Sequence, residues 1–153
     1  MSEHAATVEW ARGDQPFSDG RYSRAHDWRF DGGAVVRGSS APPVPGSDPA
    51  AVDPEEALVA AVSACHMLFF LAYAAKAGFV VDRYADAASG TLGKDDRGRL
   101  SMTEIVLRPR IDWVGEGPTA EALADLHHRA HESCYLANSI RGHVRLLDPS
   151  TGS

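Results

Sequence analysis

Residues 57–75 carry no formal charge, and this run between Glu56 and Lys76 constrains the possible folds more than any other feature. Its length approaches that of a membrane span. It is alanine-rich, however, and contains Ser63, His66 and Tyr73, with Glu55 and Glu56 in front of it and no Lys/Arg bias at its flanks. We therefore expect no membrane association, but a helix buried on nearly all sides within a soluble protein. The start of that helix is explicit. Asp53 can cap it, Pro54 suits its first position, and Glu56 completes a capping box with Asp53. Gly78 marks the stop, after Lys76 in the last turn. Such a helix of about 24 residues extends roughly 36 Å.

Around it the pattern is that of strands. Residues 5–12 alternate weakly, and Asp19-Gly20 is a turn signal. Arg21 to Phe30 alternates again, and Asp31-Gly32-Gly33 forms a hairpin turn into Ala34-Val35-Val36. Residues 39–53 contain Pro42, Pro43, Pro45 and Pro49, which excludes helix and central strand and predicts a long functional or covering loop. Beyond the helix, Ala85–Gly93 and Arg99–Val114 read as two strands joined by the polar turn 94–98. Pro118 and Thr119 open a second helix ending near His131 or Ser133, and Gly142–Leu147 is a last strand. The expected order, βββ-α-ββ-α-β, defines an α+β protein with antiparallel sheet around a long central helix. We expect one domain over residues 1–153, with 148–153 as a frayed tail.

Composition narrows the function. The net charge is −6 and no Lys/Arg block stands out, which argues against a nucleic-acid partner held through phosphates. Two cysteines are too few for a disulfide scaffold or a thiolate metal cage. No basic stretch followed by an apolar run opens the sequence, so we expect a cytoplasmic location with reduced thiols.

Those two cysteines are the candidate chemistry. Cys65 lies in the middle of the long helix among Ala60, Ala61, Ala64, Leu68 and Phe69, where a lone cysteine ordinarily serves as a small hydrophobe. Cys134 follows the second helix, near His127, His128, His131, Asn138 and Arg141. Two cysteines on two helices form a reversible disulfide couple only if the fold brings their Cα atoms to about 5–6 Å.

Two segments carry a family resemblance. Asp53-Pro54-Glu55-Glu56 followed by Ala60-Ala61-Val62-Ser63-Ala64-Cys65 resembles the first-cysteine signature of the OsmC/Ohr proteins, which are thiol-dependent hydroperoxide reductases. Cys134-Tyr135-Leu136-Ala137-Asn138-Ser139-Ile140-Arg141-Gly142 is similar to the second-cysteine segment of that family. The resemblance implies an intertwined homodimer with sites at the subunit interface and no bound cofactor. It implies that Cys65 is the peroxidatic thiolate and Cys134 the resolving thiol, with an external dithiol, often lipoyl-type, restoring both. It further implies a carboxylate at Glu55 and a nearby arginine that favours the thiolate. Glu55 and Cys65 are about 15 Å apart along one helix, so Glu55 can serve only a Cys65 of another chain. Arg21, Arg24 and Arg37 all qualify as the cation, and Arg24, set among Tyr22, Ser23 and His26, is preferred. The resemblance implies detoxification of organic and fatty-acid hydroperoxides. His66 and Tyr135 depart from the residues usual in well-known branches, however, which leaves open the preferred substrate and whether peroxide is the physiological one. His66 reads as a core histidine or a group on the site rim.

Two other classes remain. His127, His131 and Cys134 lie at i, i+4 and i+7 and could share a metal ion, with His128 beside them. Alternatively, Phe69, Phe70, Leu71 and Tyr73 could line a pocket in a non-catalytic dimer that binds a hydrophobic ligand.

Overall fold

The computed structural model describes residues 1–147, so the expected frayed tail, 148–153, lies outside the described residues. The chain divides into two compact units, residues 1–57 and the remainder from Leu58.

The first unit holds three strands, β1 (Ala6–Glu9), β2 (His26–Phe30) and β3 (Val35–Gly38), in an antiparallel meander with β2 central. The Asp31-Gly32-Gly33 turn forms as expected, with the Gly33 N–H donating to the Phe30 carbonyl at 3.0 Å. Strand β2 is shorter than the alternation of residues 21–30 suggests. The reason is where the backbone donors go: the Ser23 N–H reaches Gln15 Oε1 at 2.6 Å and the Arg24 N–H reaches the Gly46 carbonyl at 2.9 Å. Those donors are spent on loops rather than on a ladder. The proline-rich loop returns alongside β3, where Val52 bridges Gly38 in parallel.

Helix α1 spans Pro54–Lys76, close to the expected limits. The capping box is present in both directions. Glu56 N–H donates to Asp53 Oδ1 at 2.8 Å, and Asp53 N–H donates to Glu56 Oε2 at 3.1 Å. By length and composition α1 is the one helix among the described residues apolar enough to cross a membrane. In the fold, however, its stripe Val62, His66, Phe70 and Ala74, repeating every four residues, is buried. Helix α2, Ala120–Ser133, starts at the expected Thr119, whose hydroxyl accepts from the Ala122 N–H at 3.2 Å.

The expectation of two strands between the helices is corrected to four: β4 (Val80–Asp86), β5 (Ser89–Lys94), β6 (Leu100–Leu107) and β7 (Pro109–Val114). Strand β4 pairs with β7 and β5 with β6, all antiparallel, so one long ribbon is broken in the middle. Asp86 makes the break. Its Oδ1 accepts the Arg108 N–H at 2.6 Å and its Oδ2 accepts the Ser63 hydroxyl at 2.5 Å, and the following Pro109 has no N–H to offer a ladder. The element order is therefore βββ-α-ββββ-α-β.

Strand β8 (His143–Leu146) lies parallel to β6, a departure from a purely antiparallel sheet. It approaches closely because Gly142 has no side chain: a Cβ there would strike the Met102 carbonyl oxygen. Two core clusters result within the second unit. Phe70, Ala74, Leu126 and Ala130 join α1 to α2, and Val62, Ile105 and Leu107 join α1 to the β5-β6-β8 sheet. Truncating a fully buried aromatic such as Phe70 to alanine costs about 3–5 kcal/mol.

Candidate functional site

Cys65 is carried by α1 one position ahead of the buried His66, which leaves its own side chain half-buried. Cys134 caps α2 and is fully buried. Its N–H donates to the His131 carbonyl at 3.1 Å, and its Sγ accepts the Ala137 N–H at 3.4 Å. The segment that follows curls back on itself. Asn138 donates its N–H to the Cys134 carbonyl at 3.1 Å and its amide Nδ2 to the Glu132 carbonyl at 3.1 Å. That turn is the local role of Asn138, and it holds the Cys134 sulfur facing inward.

The fold brings the two thiols together although they are far apart in sequence. Both are free, and burial, then the hydrogen bond and charge of the adjacent Cys65 sulfur, raise the Cys134 thiol above its ordinary value of 9.0. Cys134 is thus held as the neutral thiol beside Cys65 at neutral pH.

The first unit positions Arg24 firmly. Its Nε donates to the Pro45 carbonyl at 2.9 Å, its Nη1 donates to the Tyr22 hydroxyl at 3.2 Å, and its guanidinium lies over the Tyr22 ring at 4.7 Å. Gly46 permits this: its φ is +82°, and a Cβ there would strike the Tyr22 carbonyl. Among the described residues Arg24 has no carboxylate partner, whereas Arg37 is paired with Asp27 at 3.3 Å and Arg21 is exposed. The carboxylate of Glu55, unlike that of Glu56, makes no hydrogen bond or ion pair among the described residues, so it is not used in capping the helix.

His66 is a core histidine. It is 1% exposed, and its Nε2 lies 3.1 Å from His127 Nδ1. Burial, followed by the charges of His127 and His131, lowers its pKa from 6.5 to about 4, so the ring is neutral at physiological pH. The spacing of His127, His131 and Cys134 does not gather a ligand set: among the described residues no three His, Cys, Asp or Glu side chains are placed to hold a metal ion. Within the single chain, three of the α1 aromatics considered for a hydrophobic ligand have contacts of their own. Phe70 is core, Phe69 meets Tyr135 edge-on, and the Tyr73 hydroxyl is bound to Ser133 Oγ at 2.7 Å.

Sequence reasoning missed Asp86, which fixes Ser63 two residues before Cys65. An acidic residue followed by Ala87-Ala88-Ser89-Gly90 inside an apparent strand was the available signal.

A long helix bearing Cys65, a second cysteine at the end of α2, and the sheets packed on that helix together define an OsmC-type α+β protein. The model of the OsmC-like protein family matches residues 46–146, and the chain belongs to that family. An OsmC-like protein of unknown function from Vibrio cholerae O1 is 49% identical, with a TM-score of 0.93 over 96% of this chain and 99% of that one. The organic hydroperoxide resistance protein of Elizabethkingia anophelis shares the fold at 20% identity and a TM-score of 0.70, over 95% of this chain and 93% of that one. The organic hydroperoxide resistance protein OhrB of Bacillus subtilis does so at 18% identity and a TM-score of 0.64, over 95% of each chain. No curated protein matches the chain.

Proposed function

We propose that the protein is a cysteine-based peroxidase that reduces organic hydroperoxides to alcohols. The observation that carries this reading is the juxtaposition of Cys65 on α1 with the buried Cys134 thiol at the end of α2. Organic hydroperoxide resistance proteins have the same fold, which supports it further.

The Cys65 thiolate attacks the distal oxygen of the hydroperoxide. The O–O bond breaks, Cys65 becomes a sulfenic acid, and the alkoxide takes a proton to leave as the alcohol. Cys134 then attacks the sulfenic sulfur, forming a disulfide and releasing water. An external dithiol of the lipoyl type reduces the disulfide and is itself oxidised to a disulfide, which returns both protein thiols. No bound cofactor enters this cycle, and a reducing cytoplasm would sustain it.

The thiolate and the leaving alkoxide both favour a nearby cation, and of Arg21, Arg24 and Arg37 it is Arg24 whose guanidinium is held by neutral groups without a carboxylate. Glu55 completes the pair from a second subunit, because its own Cys65 is about 15 Å along the same helix. A homodimer is supported by the opposite face of α1, where Ala60, Ala64, Leu68 and Ala72 are exposed and Leu68 is 63% accessible in the single chain.

Addition of one equivalent of an alkyl hydroperoxide to the reduced protein should yield a Cys65–Cys134 disulfide by mass spectrometry. Peroxide consumption that survives Cys65→Ser would refute the assignment. Accumulation of over-oxidised Cys65 with Cys134 still free would remove the resolving role.

A further inference from the structure

The two sulfurs of the couple differ in what can reach them. Cys65 is half-buried on α1, whereas Cys134 at the end of α2 is 0% exposed. Resting on the peroxidase reading for the disulfide as a working state, we propose that an external dithiol attacks that disulfide at the Cys65 sulfur. The mixed disulfide then forms on Cys65, and Cys134 is the leaving thiol.

Exchange requires the incoming thiolate to reach one sulfur in line with the bond that breaks. The turn after α2 encloses Cys134. Its Sγ accepts the Ala137 N–H at 3.4 Å, and the Asn138 and Ile140 N–H groups donate to the Cys134 and Leu136 carbonyls at 3.1 and 3.2 Å. Leu136 and Ile140 are packed against the cluster of Val62, Ile105 and Leu107. Exposing Cys134 therefore means unpacking this turn, whereas Cys65 needs no such opening.

Leaving-group chemistry pulls the other way. Burial and the neighbouring Cys65 sulfur raise the Cys134 thiol above its ordinary value, and a thiol of higher pKa leaves more slowly. On that ground alone, attack at Cys65 would be the slower route. Access decides instead, because attack at a sulfur without accessible surface waits on the turn. The reductant thiolate joins Cys65, and the electron pair of the broken S–S bond goes to Cys134, which takes up a proton. The second reductant thiol then attacks the reductant sulfur of the mixed disulfide, releasing Cys65, and the reductant leaves as a disulfide.

Diamide converts the reduced full-length chain to the disulfide without any peroxide. Brief treatment with 2-mercaptoethanol, an acid quench and N-ethylmaleimide under denaturing conditions then mark the adduct and the released thiol for peptide mass spectrometry. The adduct on Cys65 with maleimide on Cys134 should exceed the reverse by at least about tenfold, and the ratio should fall toward unity in denaturing urea. Equal adducts from the folded chain, a majority on Cys134, or failure of diamide to join the two thiols would overturn the proposal. Where the adduct is too brief to collect, the rate of reduction by dithiothreitol decides. In sub-denaturing urea it should change by less than about twofold, and a steep rise would show that the turn must open first. A chain that diamide oxidises with the expected mapping, but an alkyl hydroperoxide does not, keeps entry at Cys65 and loses the peroxidase reading.

Discussion

Nε2 of His66 lies 3.1 Å from Nδ1 of His127, with the two rings nearly parallel at 11°, so that α1 and α2 meet through a pair of imidazoles inside the core. His66 is nearly inaccessible, and its own Nδ1 has no partner. A proton on this ring would be buried beside two further histidines.

Acid stability follows from that contact. The His66 pKa falls from 6.5 in the unfolded chain to about 4 in the fold. Between those values the unfolded chain holds a proton that the folded chain does not, so stability is complete above pH 6.5 and declines as the pH falls toward 4. The loss amounts to roughly 3 kcal/mol over that interval. Urea unfolding at a series of pH values should show this slope, and His66→Leu should flatten it. A wild-type curve that is level between pH 4 and 6.5 would contradict the burial of a neutral ring.

Disulfide closure should depend on alkaline pH. Burial and the adjacent Cys65 sulfur keep the Cys134 thiol protonated beyond the ordinary thiol range, and the thiolate is the attacking species. The rate at which a Cys65 sulfenic acid becomes the disulfide should therefore keep rising above pH 9. Stopped-flow measurement with a single equivalent of hydroperoxide, separating the oxidation phase from the closure phase, reads this directly. A closure rate that levels off near neutrality would show that Cys134 ionises more easily than its burial implies.

Adjacent glutamates should separate in their effects. Glu56→Ala breaks the capping box and should cost about 1 kcal/mol in unfolding free energy, with little change in peroxide turnover. Glu55→Ala removes no hydrogen bond of the single chain, so stability should stay within about 0.5 kcal/mol while the oxidation rate of Cys65 falls. Arg24→Ala should lower that rate more than Arg21→Ala or Arg37→Ala. Identical stability and rate profiles for the two glutamate variants would remove the special role of Glu55.

The exposed stripe on α1 should govern assembly. A lysine at Leu68 places a charge within the apolar face formed with Ala64 and Ala72. Analytical ultracentrifugation should find the wild type dimeric and Leu68→Lys shifted toward monomer, with peroxide turnover falling in parallel. A monomeric wild type that turns over peroxide at full rate would exclude a site shared between subunits.

Local chemistry made several elements readable in advance. The Asp53-Pro54-Glu55-Glu56 start, the Thr119 cap and the Asp31-Gly32-Gly33 turn each satisfy their backbone groups within a few residues, so their outcome depends little on the remainder of the chain. The same locality misled where a side chain from elsewhere intervened. The apparent strands Ala85–Gly93 and Arg99–Val114 are interrupted because Asp86 takes the Arg108 N–H and the Ser63 hydroxyl, and neither partner is visible from the alternation of either segment.

By itself, the sequence determined the long apolar helix, its capped ends, the α+β class and the two cysteine-bearing segments by which the family is recognised. Tertiary structure alone decided that Cys65 faces Cys134, that His66 is a buried partner of His127 rather than a rim group, and that β8 runs parallel to β6. The physical reason is distance along the chain. Caps and turns close over three or four residues, whereas the His66–His127 contact spans 61, and its formation depends on the path of every strand between them.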